Sequence, residues 1–403
     1  MLTDLRAKPF PTPLVRKPDQ RSTPNLDKPS LLGSANRKKI ALLLPDLHGG
    51  GAERVMLTLG NFFVSKGYEV DLVLARACGA LLSEVPKDLS VTELCGGYKA
   101  RGSVGLGLCA LWGLIRYLRR AQPDVLLSTI TGTNLVAVIA RQVSCVRTRI
   151  VLREAVTFRN INSNMRRKII PIVYRFSDAI VAVASGVARD LENAGIPPRQ
   201  IQVIHNPVDT DGIRKKATEP IDHPWFTPHQ PPVILGIGRL VEQKDFSTLI
   251  RAFALVRRKL NAKLVVLGEG PKRAELESLI KTSGLTHEVA LPGYVSNPYP
   301  YLKRAAVFIL SSRWEGYPNA LLEAVCLGTP VVATDCHSGP REILTNGQYG
   351  YLTTVGDIHD LASALTRILN NHCTKSTIAH SISEPSNNYS VTGYVRVLFP
   401  DAC

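Results

Sequence analysis

Paired cysteines are missing from this sequence. Its eight cysteines form no CxxC pair and have no histidine at metal-ligand spacing, which argues against a zinc site, and a chain of this size needs no disulfide framework. The default compartment is a reducing cytosol. Long apolar runs are also missing. A membrane span needs roughly 18 uncharged apolar residues, whereas the longest candidate, Val104 to Ile115, is short and holds three glycines. The start of the chain shows no apolar core with a cleavage site, so no secretory leader is read there. No aromatic platform or recognised nucleic-acid motif accompanies the basic residues, which disfavours a nucleic-acid partner.

What is present is positive charge on a globular composition. Apolar residues make up 45% of 403, interleaved with charged ones, as in a folded chain with room for two domains. The formal charge is +16, a field that attracts nucleic acid, anionic lipid and phosphorylated substrates alike. Part of the excess lies in residues 1–38, which are also dense in proline and lack an apolar period. This stretch reads as a flexible basic tail.

From Lys39 onward, short apolar runs alternate with longer amphipathic ones, the pattern of βα units and a parallel sheet. A first series begins at Ile40–Leu44 and continues through Glu69–Leu74, Asp124–Leu127, Arg149–Leu152, Ala179–Val183 and Gln202–Ile204. Residues 207–231 turn polar and rich in proline and histidine, and read as a linker ending at Pro231-Pro232. A second series follows at Val233–Gly236, Lys263–Leu267, Glu288–Leu291, Val307–Leu310 and Pro330–Ala333. Residues 39–206 and 232–372 are thus expected to form two open α/β domains with a cleft between them and ligands at the carboxyl ends of strands. Residues 373–403 read as a C-terminal tail, with Tyr389 to Leu398 as a short helix.

Three motifs stand at such strand ends. Gly49-Gly50-Gly51 lies between the first strand and the amphipathic start Ala52–Leu57, where backbone can approach an anion at a positive helix end. A plain strand-to-helix turn fits the glycines equally well. The run is neither a P-loop nor a clean GxGxxG fingerprint. Arg239 and Lys244 follow the strand Val233–Ile237 and are spaced to bracket a diphosphate, although two solvated loop cations explain them as simply. Glu315-Gly316-Tyr317-Pro318-Asn319-Ala320-Leu321-Leu322-Glu323 follows Val307–Leu310. Pro318 suits the first turn of a helix, where its missing N–H would be unpaired anyway, which points a helix amino end into the cleft. Glu323 then falls in an early turn and Glu315 in the loop, one placed for ribose hydroxyls and one for a sugar, or both simply complementing the helix dipole.

Together these pieces resemble glycosyltransferase family 4, the glycogen-synthase-like group of retaining enzymes with the GT-B fold. The resemblance spans about residues 39–372. Besides the glycine run with Ala52-Glu53-Arg54, it rests on His205-Asn206-Pro207-Val208-Asp209, Gly238-Arg239-Leu240 with Lys244, Gly268-Glu269-Gly270-Pro271, the two glutamates, and Gly328-Thr329-Pro330-Val331-Val332-Ala333. It implies two Rossmann-like domains with parallel sheets facing a central cleft.

For the site, the resemblance implies that Arg239 and Lys244 hold the donor diphosphate, that Glu323 holds the ribose, and that Glu315 contacts the transferred sugar. Arg239, Lys244 and Glu315 are the candidate catalytic residues. Gly49, Gly50, Gly51, Gly316, Tyr317, Pro318, Asn319 and Glu323 complete the donor site. Cations and a helix amino end would take the place of a divalent metal in stabilising the leaving diphosphate, so neither metal nor resident cofactor is expected. Many members carry a histidine near the reacting sugar where this chain reads Arg153-Glu154-Ala155, and no general base is assigned. The turn Gly339-Pro340-Arg341-Glu342 also resembles one of the family's, expected to shape the donor cleft, and its residues are given no individual role.

The resulting expectation is transfer of a sugar from a nucleotide-diphosphate sugar, UDP-linked, to a saccharide or lipid-linked glycan in polysaccharide or glycoconjugate synthesis. The alternative is a sugar-nucleotide epimerase of the same architecture, which needs no acceptor. Asn164 to Ile170, with Arg175 beyond, is basic and apolar enough to rest on an anionic membrane surface, and equally fits a solvated helix face. The expected location is cytoplasmic, with peripheral attachment to the inner membrane face as an option.

Overall fold

The computed structural model describes residues 37–96, 102–157, 164–370 and 385–400. The basic tail expected at residues 1–38 lies outside the described residues except at its last two positions.

Seven parallel strands form the first sheet: β1 (Lys39–Leu44), β2 (Glu69–Leu74), β3 (Ser90–Glu93), β4 (Val125–Thr129), β5 (Arg149–Glu154), β6 (Ala179–Ala182) and β7 (Ile201–Val203). Their order is β3-β2-β1-β4-β5-β6-β7. Ile40 to Leu44 are all buried, as a central strand covered on both faces requires. One face is covered by α1 (Gly51–Ser65) through Val55, Met56, Leu59 and Phe63. The other is covered by α2 (Gly102–Ala121), α3 (Thr131–Ser144), α4 (Asn164–Tyr174) and α5 (Ser185–Asn193).

The stretch read as a linker is built into the second domain. Residues Thr210–Lys216 form α6, capped by the Asp209 carboxylate, which accepts from the Gly212 amide at 2.9 Å. Val208, Ile213 and Ala217 are buried in the second core, with Trp225 and Phe226 packed against it. A seven-residue helix is too short to display a 3.6-residue period, so the sequence hid its apolar side.

Six parallel strands form the second sheet, β8 (Val233–Ile237), β9 (Lys263–Leu267), β10 (Val289–Gly293), β11 (Val307–Leu310), β12 (Val331–Thr334) and β13 (Tyr351–Thr353), in the order β10-β9-β8-β11-β12-β13. The helices α7 (Phe246–Arg257), α8 (Arg273–Thr282), α9 (Tyr299–Arg304), α10 (Asn319–Cys326), α11 (Pro340–Ile343) and α12 (Ile358–Asn370) are divided between its two faces.

The short helix expected near the C-terminal end of the sequence is present and packs on the first domain, while residues 371–384 and 401–403 lie outside the described residues. Residues Pro385–Leu398 form α13, whose Val391, Tyr394, Val397 and Leu398 are buried in the first domain beside α1. Phe399 stacks on Tyr68 with ring centroids 5.3 Å apart. The chain therefore passes from the first domain to the second and returns.

In both sheets the strand order reverses beside the first strand of the series. The crevices lie between β1 and β4 and between β8 and β11, where an open parallel sheet receives ligands. The glycine run follows β1, the Arg239 to Lys244 loop follows β8, and the Glu315 segment follows β11.

Candidate active site

Gly49 adopts φ +100°, a conformation open to glycine and strained for other residues. Gly50 caps α1 and Gly51 begins it. This turn meets the second domain directly. The Asn319 side-chain amide donates to the Gly51 carbonyl at 3.0 Å, and Arg54 donates to the Ser296 carbonyl at 3.1 Å. Glu53 is buried, and that burial pushes its carboxyl above the usual range while the charge of Arg239 draws it back.

Arg239 and Lys244 stand in different surroundings. Lys244 ends the single turn Glu242–Lys244, and its ammonium lies 2.5 Å from the Glu315 carboxylate. Ser312 donates to the same carboxylate at 2.6 Å. Arg239 is exposed ahead of this turn. The reason is local: the turn folds Lys244 back towards β11, whereas Arg239 leaves the loop before the chain turns.

Pro318 occupies the N-cap of α10, immediately before its first turn. Its ψ is extended at 104°, and its carbonyl accepts from the Leu321 and Leu322 amides at 3.1 and 3.2 Å. The amino end of α10 faces the first domain. A side chain at Gly316 would run into the Ala155 carbonyl oxygen, so only glycine permits this approach of the two domains. Tyr317 is stacked on His205, with centroids 4.7 Å apart and planes 12° apart.

Glu323 stands apart from Glu315. It lies on the flank of α10 and lines a cavity of about 190 Å³ with Arg54, Thr58, Asp209, Tyr299 and Asn319. Burial pushes its carboxyl up to about 7, against the opposing pull of Arg54 and of a hydrogen bond from the Tyr299 hydroxyl. Lys244, Glu315 and Arg239 are not among the residues lining that cavity. One segment thus serves two places, its loop facing β8 and its helix facing α1 and α9.

Several residues near the site carried no assigned role in the sequence reading. Arg153 is 1% exposed, and its guanidinium donates to Tyr394 Oη at 3.2 Å, Thr129 Oγ1 at 3.0 Å and Asn206 Oδ1 at 2.5 Å. A buried cation needs such partners to offset lost hydration. Asn206 passes the contact on, donating to the Tyr317 carbonyl at 3.2 Å and to Asn319 Oδ1 at 2.6 Å. A continuous hydrogen-bonded line therefore joins α13 to the amino end of α10 and to Gly51.

Glu154, next along β5, faces other partners. Tyr174 donates to it at 2.7 Å and Thr131 at 3.3 Å. Burial raises its carboxyl, and these hydroxyls with the Val156 and Ala155 amides oppose the shift. A carboxylate so enclosed holds the β5 terminus in shape.

Glu342, in the turn expected to shape the donor cleft, ties the domains together. It accepts from the Ser185 amide at 3.1 Å and lies 3.0 Å from His205 Nε2. Burial raises its carboxyl, but the hydrogen bonds from His205 and Ser185 outweigh that and hold it below the usual range. A second crossing pair, His337 with the buried Asp190, is 3.1 Å apart. The single signal in the sequence for these roles was membership of a motif, since the bonds depend on how two separate sheets meet.

Comparison with known proteins places this geometry among sugar-transferring enzymes. Residues 49–212 match the family model described as Glycosyltransferase Family 4, and residues 218–384 match that described as Glycosyl transferases group 1. A relative from Campylobacter jejuni is 30% identical over 342 residues, covering 82% of this chain and 90% of that protein. It is named N-acetylgalactosamine-N,N'-diacetylbacillosaminyl-diphospho-undecaprenol 4-alpha-N-acetylgalactosaminyltransferase. The lipopolysaccharide core biosynthesis glycosyltransferase LpsE of Rhizobium meliloti is 32% identical over 206 residues, covering 51% of this chain and 58% of that one. Among solved structures, Anabaena HepE in complex with UDP and glucose superposes with a TM-score of 0.72 at 18% identity, covering 91% of this chain and 98% of that one. The fold of this chain is that of these two-domain proteins.

Proposed function

This chain belongs to glycosyltransferase family 4, and from that premise we propose that it moves a sugar, with retained configuration and without a metal, from a UDP-linked donor to a lipid-linked saccharide. The observation that carries the reading is the meeting of Gly51 with Asn319 across the cleft. It sets the glycine turn opposite the amino end of α10, beside Lys244 and Glu315 on one side and Glu323 on the other.

In this reading the α10 amino end and the exposed Arg239 face the diphosphate, and Lys244 joins them once the sugar takes its place on Glu315. These groups stabilise charge that develops as the anomeric carbon parts from the diphosphate oxygen. The acceptor hydroxyl attacks on the face the diphosphate leaves and gives its proton to the departing diphosphate oxygen, so the new bond keeps the old configuration. Glu323 receives the ribose hydroxyls. The Campylobacter relative's named undecaprenol-linked acceptor supports the lipid-linked choice, and the UDP of the HepE complex supports the donor base.

The experiment is a titration of UDP-sugars followed by turnover with a saccharide acceptor, metal ions being chelated. Arg239→Ala and Lys244→Ala should each lower kcat by roughly 10²-fold, the scale for losing one group that stabilises transition-state charge. Unchanged turnover in both variants would sink the assignment. Conversion of the donor without any acceptor would instead give the chain to epimerisation.

A further inference from the structure

Three neighbouring helices of the first domain, α2, α3 and α4, together present an outer surface to which none of them contributes an acidic residue. They lie side by side on one face of the sheet. Arg119 donates to the Val143 and Ser144 carbonyls, and Arg141 to the Phe176 carbonyl, which fastens the three into one layer.

Apolar side chains stand out from this layer. On α2, Val104, Leu108 and Trp112 are 76%, 56% and 64% exposed, and a spacing of four keeps them on one helical face. Ile139 and Val143 on α3 and Ile172 on α4 are exposed as well, with Phe176 just beyond. Exposed Arg116 and Arg120 continue the α2 stripe, and exposed Lys168 flanks Ile172. An apolar area of this extent marks an interaction surface.

We propose that the α2–α3–α4 face docks the enzyme on an anionic lipid bilayer, with Trp112 and its aliphatic neighbours entering the headgroup boundary and the surrounding cations meeting lipid phosphates. Aromatic and aliphatic side chains rimmed by Lys and Arg are the chemistry such a boundary recognises. A second copy of this chain fits poorly. Two-fold self-association would set one cationic face against another, since the three helices carry no Asp or Glu and Asp178, just beyond α4, is already paired with Arg141. The proposal rests on the lipid-linked acceptor reading and deepens it. Helix α2 runs from β3 to β4 in a parallel sheet, so its first turns, with Val104 and Leu108, lie at the strand ends that border the cleft. Docking there brings the cleft to a membrane-held substrate.

The full chain is sedimented with vesicles of phosphatidylcholine alone and of phosphatidylglycerol with phosphatidylethanolamine. Binding is expected to the second and to weaken with added salt. Trp112→Ser and Ile172→Ser should each lower the bound fraction severalfold, and Arg120→Gln and Lys168→Gln about fivefold each. Turnover of a water-soluble acceptor should stay unchanged in all four. The fluorescence of Trp112 should shift to shorter wavelength on anionic vesicles, a change absent from Trp112→Phe. Wild-type protein that remains in the supernatant overturns the proposal. So does a dimer in light scattering that Trp112→Ser abolishes, which would give the face to a second copy. Loss of donor turnover in the wild type, with vesicle binding intact, would count against the transferase reading and leave the docking face standing.

Discussion

Glu323 shows how a single buried carboxyl ties donor recognition to pH. Its folded value of about 7 lies above the ordinary 4.5, so the folded chain keeps a proton that the unfolded chain releases. Stability from this group is therefore present at low pH and lost as the pH rises between those values. Ribose hydroxyls donate best to a full carboxylate. Donor binding measured by calorimetry should strengthen as the pH rises through about 7, and Glu323→Gln should flatten that dependence. In thermal unfolding, the same variant should lose less stability than the wild type over the same rise. Asn206 acts at one remove. It fixes Asn319 and, through Arg153, answers to Tyr394. Asn206→Ala should raise the donor KM by about tenfold, the equivalent of roughly one lost hydrogen bond, with a smaller change in kcat.

Among the elements, α13 is the most informative. It supplies Val391, Tyr394, Val397 and Leu398, with Phe399 just beyond, to a core whose remaining buried members lie at Ile204 or earlier. Ending the chain at residue 384 should uncover that core and abolish cooperative unfolding of the first domain, as read by calorimetry. Its apolar positions were visible in the sequence, but the partner was not, because burial against a distant helix leaves no local mark. The same reasoning explains what the sequence showed and what it hid. The apolar runs of β1, β4, β8 and β11 declared themselves, being buried on both faces. The edge strands β3 and β13 did not, since Ser90–Glu93 is only half-buried and Tyr351–Thr353 is three residues long. The site divided similarly. Glycines and charges at strand ends were legible, whereas the Lys244 with Glu315 pairing and the Arg153 line depend on loop direction and domain contact.

For the whole molecule, the cleft is closed by bonds that cross it, and two of them pair a histidine with a carboxylate. Because hydrogen bonds hold Glu342 below the usual carboxyl range, its contribution to closure is complete above about 4.5 and is lost as the pH falls through its lowered value. Small-angle scattering should show the wild type expanding on such acidification, and Glu342→Gln should already be expanded at neutral pH. Donor affinity in that variant should fall with the population of the closed form.

The return of the chain also bears on how the protein is made. A ribosome delivers β1 through β7 first, and an ordinary first domain folds while the second is still being synthesised. Here the pocket for Tyr394 and Leu398 stays empty until α13 emerges, after the whole second domain, so nascent protein carries an open apolar seam throughout synthesis of that domain. Completion of the earlier domain waits on a helix made after the later one, and a nascent chain stalled anywhere in the second domain should be held by chaperones.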